Sequence, residues 1–524
     1  MSFACTGVPA SRSRFPSSRR SVSKPRAKAV LAAESFDVSS GEPGWAPEPG
    51  GPLAGLRVAT CGPGAAVWHA GRLLASLGAT VWSGFWPEAD GVIDAVGAVA
   101  PTWSGPAVRT VDTTAVEDWA SCGAMALTGR DNGPALRTPG QPASAAWGAL
   151  LATELLGRIG GRAVVLPGPR VLAERAAIAG RGRSAPSSVS GAFRMLRAAD
   201  GWVGLNLARS AELLPLWLGE TVPLDDPWPT VTAAVARRDA AKLVVAARRI
   251  GLPAVMSTKD DEQLVARDQA GETWPFVLNG AVRRARPGGG PVRVEPRRWR
   301  LPSTLVVDLS SLWAGPLCAN LLGTLGARVV KVEDSRVPDP ARFGPPGFFD
   351  LLHGGHESVA LDFGTPQGRA ALDRLVDAAD VVLANYAPVP AERVLARSPG
   401  KCWVSITAYG RTGPWARVPG FGDDSAVAGG LLAFDTETWT AAPCGDAIAA
   451  PLAGVNAALA ALACRLAGGT WLVDLALREQ AAATLVRALE PGPTPAVASP
   501  VSRRPSQPAA TLGAHTEAVL AEFR

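Results

Sequence analysis

From Leu305 onward, short apolar runs alternate with longer stretches of helical periodicity. Leu305-Val306-Val307-Asp308-Leu309 reads as a buried strand, Trp313-Ala314-Gly315-Pro316 as a turn, and Leu317–Leu325 as a helix. Val329–Glu333 is the next strand, followed by a strand at Ser358–Asp362, a helix over Gln367–Ala379 with a proline at its N-terminal edge, and strands at Val381–Ala384 and Cys402–Thr407. Strands that alternate with helices predict a doubly wound α/β fold, a parallel sheet with helices on both faces. Such sheets bind ligands beyond the carboxyl ends of their strands.

The same pattern opens earlier in the chain. Leu73–Val81 reappears as Leu321–Val329 at an offset of 248, each preceded by an apolar run and a Gly/Pro turn. Gly133-Pro134-x-x-Arg137-x-Pro139-Gly140 returns at an offset of 280, and Gly160–Leu166 against Gly468–Asp474 at 308. The growing offset means that the first copy lacks about 32 residues between the first two matches and about 28 between the last two. Function should therefore concentrate in the second copy.

Between the copies, Ala192–Leu196 and Trp202–Leu207 flank Ala199-Asp200-Gly201, a hairpin signal, and helical segments follow over Val231–Arg249. The chain thus divides into a tail (1–50), a reduced α/β domain (51–182), a smaller α+β domain (183–285), a Pro/Gly/Arg-rich linker (286–302), a complete α/β domain (303–490), and a Pro-rich segment with a tail helix (491–524).

Charge changes little in this picture. The 524 residues carry a formal charge of +6, but seven of the 52 basic groups lie in residues 1–33 with no acid, leaving 45 basic against 46 acidic. A nucleic-acid binder needs its basic stripe on a folded surface, so nucleic acid is not an expected partner. The Arg/Ser-rich tail fits either a plain extension or, less well, an organelle transit peptide; the expected location is the cytoplasm. No apolar stretch is read as a membrane span, so no membrane partner is expected. Seven scattered cysteines without a CxxC pair, and four histidines of which only His353 and His356 are close, argue against a disulfide framework and a metal centre.

Residues 305–475 resemble class III CoA-transferases, the family of formyl-CoA and carnitine CoA-transferases and of α-methylacyl-CoA racemase. The features that carry the resemblance run in order: Val307-Asp308-Leu309, Ala314-Gly315-Pro316, Leu325-Gly326-Ala327-x-Val329-x-Lys331-Val332-Glu333, Ser358–Asp362, Ala379-Asp380-Val381-Val382-x-x-Asn385, and Thr407-Ala408-Tyr409-Gly410-x-x-Gly413-Pro414. Residues 183–285 resemble the family's small domain and Leu512–Leu520 its C-terminal tail. The resemblance implies a tandem with a reduced first copy, packed as an intramolecular pseudo-dimer or as a homodimer.

It also implies a reaction: CoA moves from an acyl-CoA thioester to a carboxylic acid through an enzyme aspartate, with CoA as substrate and no prosthetic group. CoA contacts are expected on Trp313, Ala314, Gly315, Lys331, Arg342, His353–His356, Asn385, Tyr386 and Arg393. The family's Asn-x-Gly-Lys stretch reads His353-Gly354-Gly355-His356, placing a histidine where the lysine stands. The family's catalytic Asp lies four residues before a glycine, and four before Gly454 stands Ala450. Asp446 is the nearest acid, either the nucleophile or a helix-preceding cap. Asp423, followed by Asp424, falls near an accessory carboxylate. The alternatives are a catalytically impaired CoA-binding or partner subunit, and a racemase-type relative.

Overall fold

Every residue of Leu305–Asp308 is buried, and its side chains alternate between two separate cores. Val306 faces one core with Val381 and Leu383, and Val307 the other with Val330 and Val382. A strand apolar on both faces belongs in the middle of a covered parallel sheet. In the computed structural model it lies there. The structure describes residues 43–45, 50–99, 103–256, 277–281, 303–385, 389–487 and 489–523, all within the unit Asp37–Arg524.

The large sheet has seven strands in the order Glu357–Leu361, Arg328–Asp334, Leu305–Asp308, Val381–Ala384, Cys402–Thr407, Thr470–Ala476 and Val277–Ala281. The first six are parallel. The chain winds outward in both directions from Leu305–Asp308, so the order reverses between that strand and Val381–Ala384. The seventh strand is antiparallel, Leu278 pairing with Val473. Its residues fall in the stretch read from sequence as the small domain. Five residues with a Val-Leu start suffice to cover an otherwise open edge.

A second sheet runs Pro43–Trp45, Thr80–Ser83, Arg57–Cys61, Gly91–Asp94, Ala107–Arg109, the last four parallel and the first antiparallel. Here too the first parallel strand, Arg57–Cys61, sits between its successors. Each central strand leads into a helix, Ala65–Ser76 or Ala314–Thr324, and each of these packs on a longer one, Pro142–Ile159 or Ala449–Ala467. The long helices also touch each other, so one apolar core joins both halves. The third sequence match is not matched in structure. Thr470–Ala476 is a strand, whereas Ala163–Leu166 is irregular, with Val165 82% exposed.

The helix Ala449–Ala467 corrects one expectation. It is long and apolar enough to cross a membrane, which the sequence reading found nowhere. Its burial against four helices makes it a core helix, apolar on most of its surface because most of that surface is covered.

Residues 193–255 form a three-stranded antiparallel sheet, Phe193–Arg197, Trp202–Asn206 and Ala254–Val255, with its own core. The helical stretch expected over Val231–Arg249 is two helices, Trp228–Val235 and Ala240–Arg249. Asp239 restarts the second by accepting from the Lys242 amide at 2.9 Å. The tail ends in the helix Thr516–Glu522, which inserts Val519 into the second core of the large sheet.

Candidate active site

At the carboxyl end of Leu305–Asp308 the chain makes a constrained turn. Asp308 Oδ1 accepts from the Ser310 amide at 2.8 Å and from its hydroxyl. Leu312 takes a left-handed φ of 72°, and its amide donates to Asp339 Oδ1 at 3.0 Å. A non-glycine residue at positive φ costs energy and persists where its surroundings fix it. Lys331 does the fixing. Fully buried, its ammonium lies 3.1 Å from Asp339 Oδ2 and 3.7 Å from Asp308 Oδ2, and donates to the Ser310 carbonyl. Burial pulls its pKa down, but Asp308, Asp339 and Glu333 outweigh it and hold the group above its ordinary value.

The turn delivers Trp313, Ala314 and Gly315, all buried, into the first turn of the helix Ala314–Thr324. Gly315 is there for space: a Cβ would sit 1.9 Å from Ser310 Oγ. Asn385, at the end of the neighbouring strand, donates to Ser311 Oγ at 3.1 Å. Ser311 and Asn385 therefore meet, two residues before Trp313 in the chain, at the point where the strand order reverses, the usual ligand crevice of such sheets. The Trp313 indole N–H is buried without a hydrogen-bond partner among the described residues. A buried donor left open is a position a ligand acceptor can fill.

The other expected CoA contacts separate into groups. Arg342 forks onto Glu333, with Nη2 2.6 Å from Oε2, also donates to the Ala510 carbonyl, and stacks 4.2 Å from the Phe349 ring. His353 and His356 face each other, Nδ1 to Nδ1 at 3.2 Å. Burial, with Lys331 nearby, pushes His356 down to about 4 and His353 well below its usual value, so both are neutral at pH 7. Arg393 is exposed on the helix Ala391–Arg397. Tyr386 lies outside the described residues.

The expected carboxylates do come together. Asp446 occupies a turn with left-handed backbone on both sides, Gly445 at φ 66° and Ala447 at φ 44°. The Gly445 amide donates to Thr128 Oγ1 at 2.8 Å and the Ala447 amide to Asp423 Oδ1 at 2.9 Å. Asp446 is 1% exposed, and both its oxygens are gripped by the Arg175 guanidinium, Nε to Oδ2 at 2.9 Å. Arg175 in turn stacks 4.9 Å from the Trp313 ring. Asp423 is pushed up to about 6 by burial and by the charge of Asp446, against the pull of Arg175. Asp424 is pushed up to about 7, mainly by burial; it accepts from Asn206 Nδ2 at 3.0 Å and from the Phe421 amide. Ala450 is half-buried on the first turn of the long helix.

Three side chains of this arrangement were not foreseen: Arg175, Asp339 and Asn206. Arg175 and Asn206 reach the acids from residues 271 and 218 positions away, a distance that no local spacing rule spans. Asp339 carried a signal, since an Asp before Pro340 that opens a short helical turn is a capping pattern.

Fold and site together define an α/β protein with a carboxylate pair beside the topological switch point of a parallel sheet. Residues 301–508 match the model of CoA-transferase family III. Similar proteins include the succinyl-CoA–D-citramalate CoA-transferase of Chloroflexus aurantiacus, 30% identical over 34% of this chain and 49% of that protein. A probable CoA-transferase of Mycobacterium tuberculosis is 28% identical over 50% of this chain and 40% of its own length. The chain thus spans less than half the length of either relative. Among solved structures, a CaiB/BaiF family protein from Brucella suis is 28% identical over 35% of this chain and 55% of its own, with a TM-score of 0.33.

Proposed function

We propose that the chain binds acyl-CoA at the carboxyl-end crevice of the seven-stranded sheet and moves CoA between a thioester and a carboxylic acid. One observation carries the reading: a single guanidinium, Arg175, joins the Trp313 turn, where CoA is expected, to Asp446, the acid expected to carry the acyl group. The family match and the relatives' names support the reaction class.

In this reading the Asp446 carboxylate attacks the thioester carbonyl and expels the CoA thiolate, leaving an acyl–aspartyl anhydride. The thiolate then attacks the aspartyl carbonyl, releasing the first acid and forming an aspartyl-CoA thioester. An incoming carboxylate reverses both steps, regenerating Asp446 and a new acyl-CoA. Lys331 and Arg342 serve by holding the turn, since their charges are spent on Asp308, Asp339 and Glu333. The exposed Arg393 is left to meet a phosphate. We further infer that the two sheets arose by duplication, which the shared strand order supports, and that the halves pair within one molecule.

The test is label exchange between a panel of acyl-CoAs and their free acids, with hydroxylamine trapping of the peptide that contains Asp446. Exchange with hydroxamate at Asp446 is expected. Measured CoA binding with no exchange in any pair refutes turnover.

A second reading rests on Ala450 at the family's catalytic position and on the grip of Arg175 on both Asp446 oxygens: a CoA-binding subunit without turnover. It predicts that Ala450→Asp creates exchange in a chain that has none. Wild-type turnover, unchanged by that substitution, sinks it.

A further inference from the structure

Arg175 belongs to the short helix Glu174–Ala179 of the first half, yet its side chain ends among acids of the second. Its neighbour Glu174 is buried and held by Arg503 of the C-terminal segment, Nε to Oε1 at 2.6 Å and Nη2 to Oε2 at 3.0 Å. Arg503 also donates to Asn320 Oδ1 at 3.0 Å, on the helix Ala314–Thr324 that follows Trp313. The helix that carries Arg175 is therefore tied to the second half by backbone placement and by side chain. Its side chain is only 24% exposed, with the guanidinium carbon 4.9 Å from the Trp313 ring centroid and the guanidinium forked onto Asp446.

We propose that Arg175 is a positioning residue: it holds the Asp446 carboxylate beside the Trp313 turn and supplies the positive charge that Asp446 and Asp423 share. The first half then completes the acid site of the second. The catalytic consequence rests on the function proposed above; the positioning itself does not.

The charge balance around Asp423 makes this measurable. Facing it are Arg175 from Glu174–Ala179, Asp446 from the turn before the long helix, and Asp424 on its own helix, with the Ser188 hydroxyl and the Ala447 amide as donors. Arg175 opposes the rise that burial and Asp446 impose on Asp423. Taking away the cation must raise the titration of Asp423, and taking away the anion must lower it. An arginine that only filled space would change neither.

The experiment is a carbon-13 carboxylate titration of the full chain, with the Asp423 resonance assigned by its loss in Asp423→Asn. Wild type should titrate near 6. Arg175→Met should raise the midpoint by about one unit, a tenfold change in proton affinity, Asp446→Asn should lower it, and Arg175→Lys should fall between. Thermal unfolding confirms that each variant is folded; if Arg175→Met is not, the lysine and asparagine variants still fix both signs. An Asp423 midpoint unmoved in folded variants overturns the proposal.

Exchange kinetics give the second readout. Arg175→Met should lose about 100-fold in kcat with KM for CoA nearly kept, and Arg175→Lys should recover part. A moved midpoint with undiminished kcat overturns the catalytic consequence. Absence of exchange in wild type refutes the proposed reaction, while the titration still decides the positioning.

Discussion

The two parallel sheets pair the same positions with different chemistry. In the seven-stranded sheet Asp308 is in register with Lys331; 248 residues earlier, in the five-stranded sheet, Thr60 is in register with Ser83. The first pair is a buried ion pair within a cage that includes Asp339. The second is neutral, Thr60 Oγ1 donating to the Trp82 carbonyl at 3.3 Å. The turns beyond differ accordingly. Asp94 of the five-stranded sheet satisfies itself on nearby amides, Ala98 at 3.0 Å and Val96 at 3.2 Å. In the large sheet the buried charges hold Leu312 in a left-handed conformation and set Trp313 in place. Buried charge is a poor way to gain stability, but it fixes one geometry. Of these two matched strand-end positions, only the pair in the large sheet carries such charge.

Removing the cation is the strongest way to break the contrast. Lys331→Met leaves Asp308 and Asp339 buried without their counter-charge and should cost about 3–5 kcal/mol, read from urea unfolding. Ser83→Ala, at the matching position, should stay within about 0.5 kcal/mol. Similar losses at both positions would show that the two sheets do not differ in this way.

A smaller effect tests what the halves share. Gly454 lets the long helix approach Ala314 and Leu317, where a Cβ would come within 2.8 Å of the Ala314 carbonyl oxygen. Gly148 does the same in the first half, where a Cβ would meet the Ala66 carbonyl oxygen at 2.7 Å. Alanine at either site should destabilise by about 1–3 kcal/mol through overpacking. Because the two long helices also pack on each other, the double variant should depart from additivity.

Much of the fold was legible because it obeys local rules. Val381–Ala384 and Cys402–Thr407 lie where their apolar runs place them, and Pro366 marks its helix start, with Thr365 capping. The edge strand Val277–Ala281 was not legible, since an added strand has no partner until the sheet exists. The resemblance pointed to Asp423 and Asp446 as expected acids, but not to the arginine that binds Asp446. Arg175 sits in the short helix Glu174–Ala179, and only tertiary packing brings its side chain to Asp446, 271 positions away. The resemblance marked Lys331 as a CoA contact; in the structure its ammonium is buried against Asp308 and Asp339, a pairing that no local pattern announces.

The pH dependence separates the acid cluster from the lysine cage. Asp424 is raised to about 7 in the folded chain, chiefly by burial, against 3.8 for the free side chain. The folded state therefore binds this proton more tightly than the unfolded state does. Its contribution is fully present below about pH 4 and is lost as pH rises through about 7. Across that window stability should fall by up to about 1.4 kcal/mol per pH unit from this group. Asp424→Asn, which keeps an acceptor for the Phe421 amide, should flatten that slope. An unchanged slope from pH 5 to 7 would mean that Asp424 is not carrying it.

The smallest expected effect lies on the surface, and it sharpens the division between residues that build the crevice and residues that face a ligand. Arg393 is exposed, so Arg393→Ala should leave unfolding within about 0.5 kcal/mol of wild type. If it meets a CoA phosphate, calorimetry should show CoA affinity falling by about five- to tenfold, with dephospho-CoA or pantetheine affected less, because one charge-assisted hydrogen bond is worth roughly that much. Lys331→Arg should do the reverse. The larger guanidinium cannot occupy a cage built for a point charge, so it should destabilise the fold, whereas the exposed arginine is felt only by the ligand. Equal losses of CoA affinity and of stability at position 393 would move Arg393 into the group that builds the crevice and leave the phosphates to other cations.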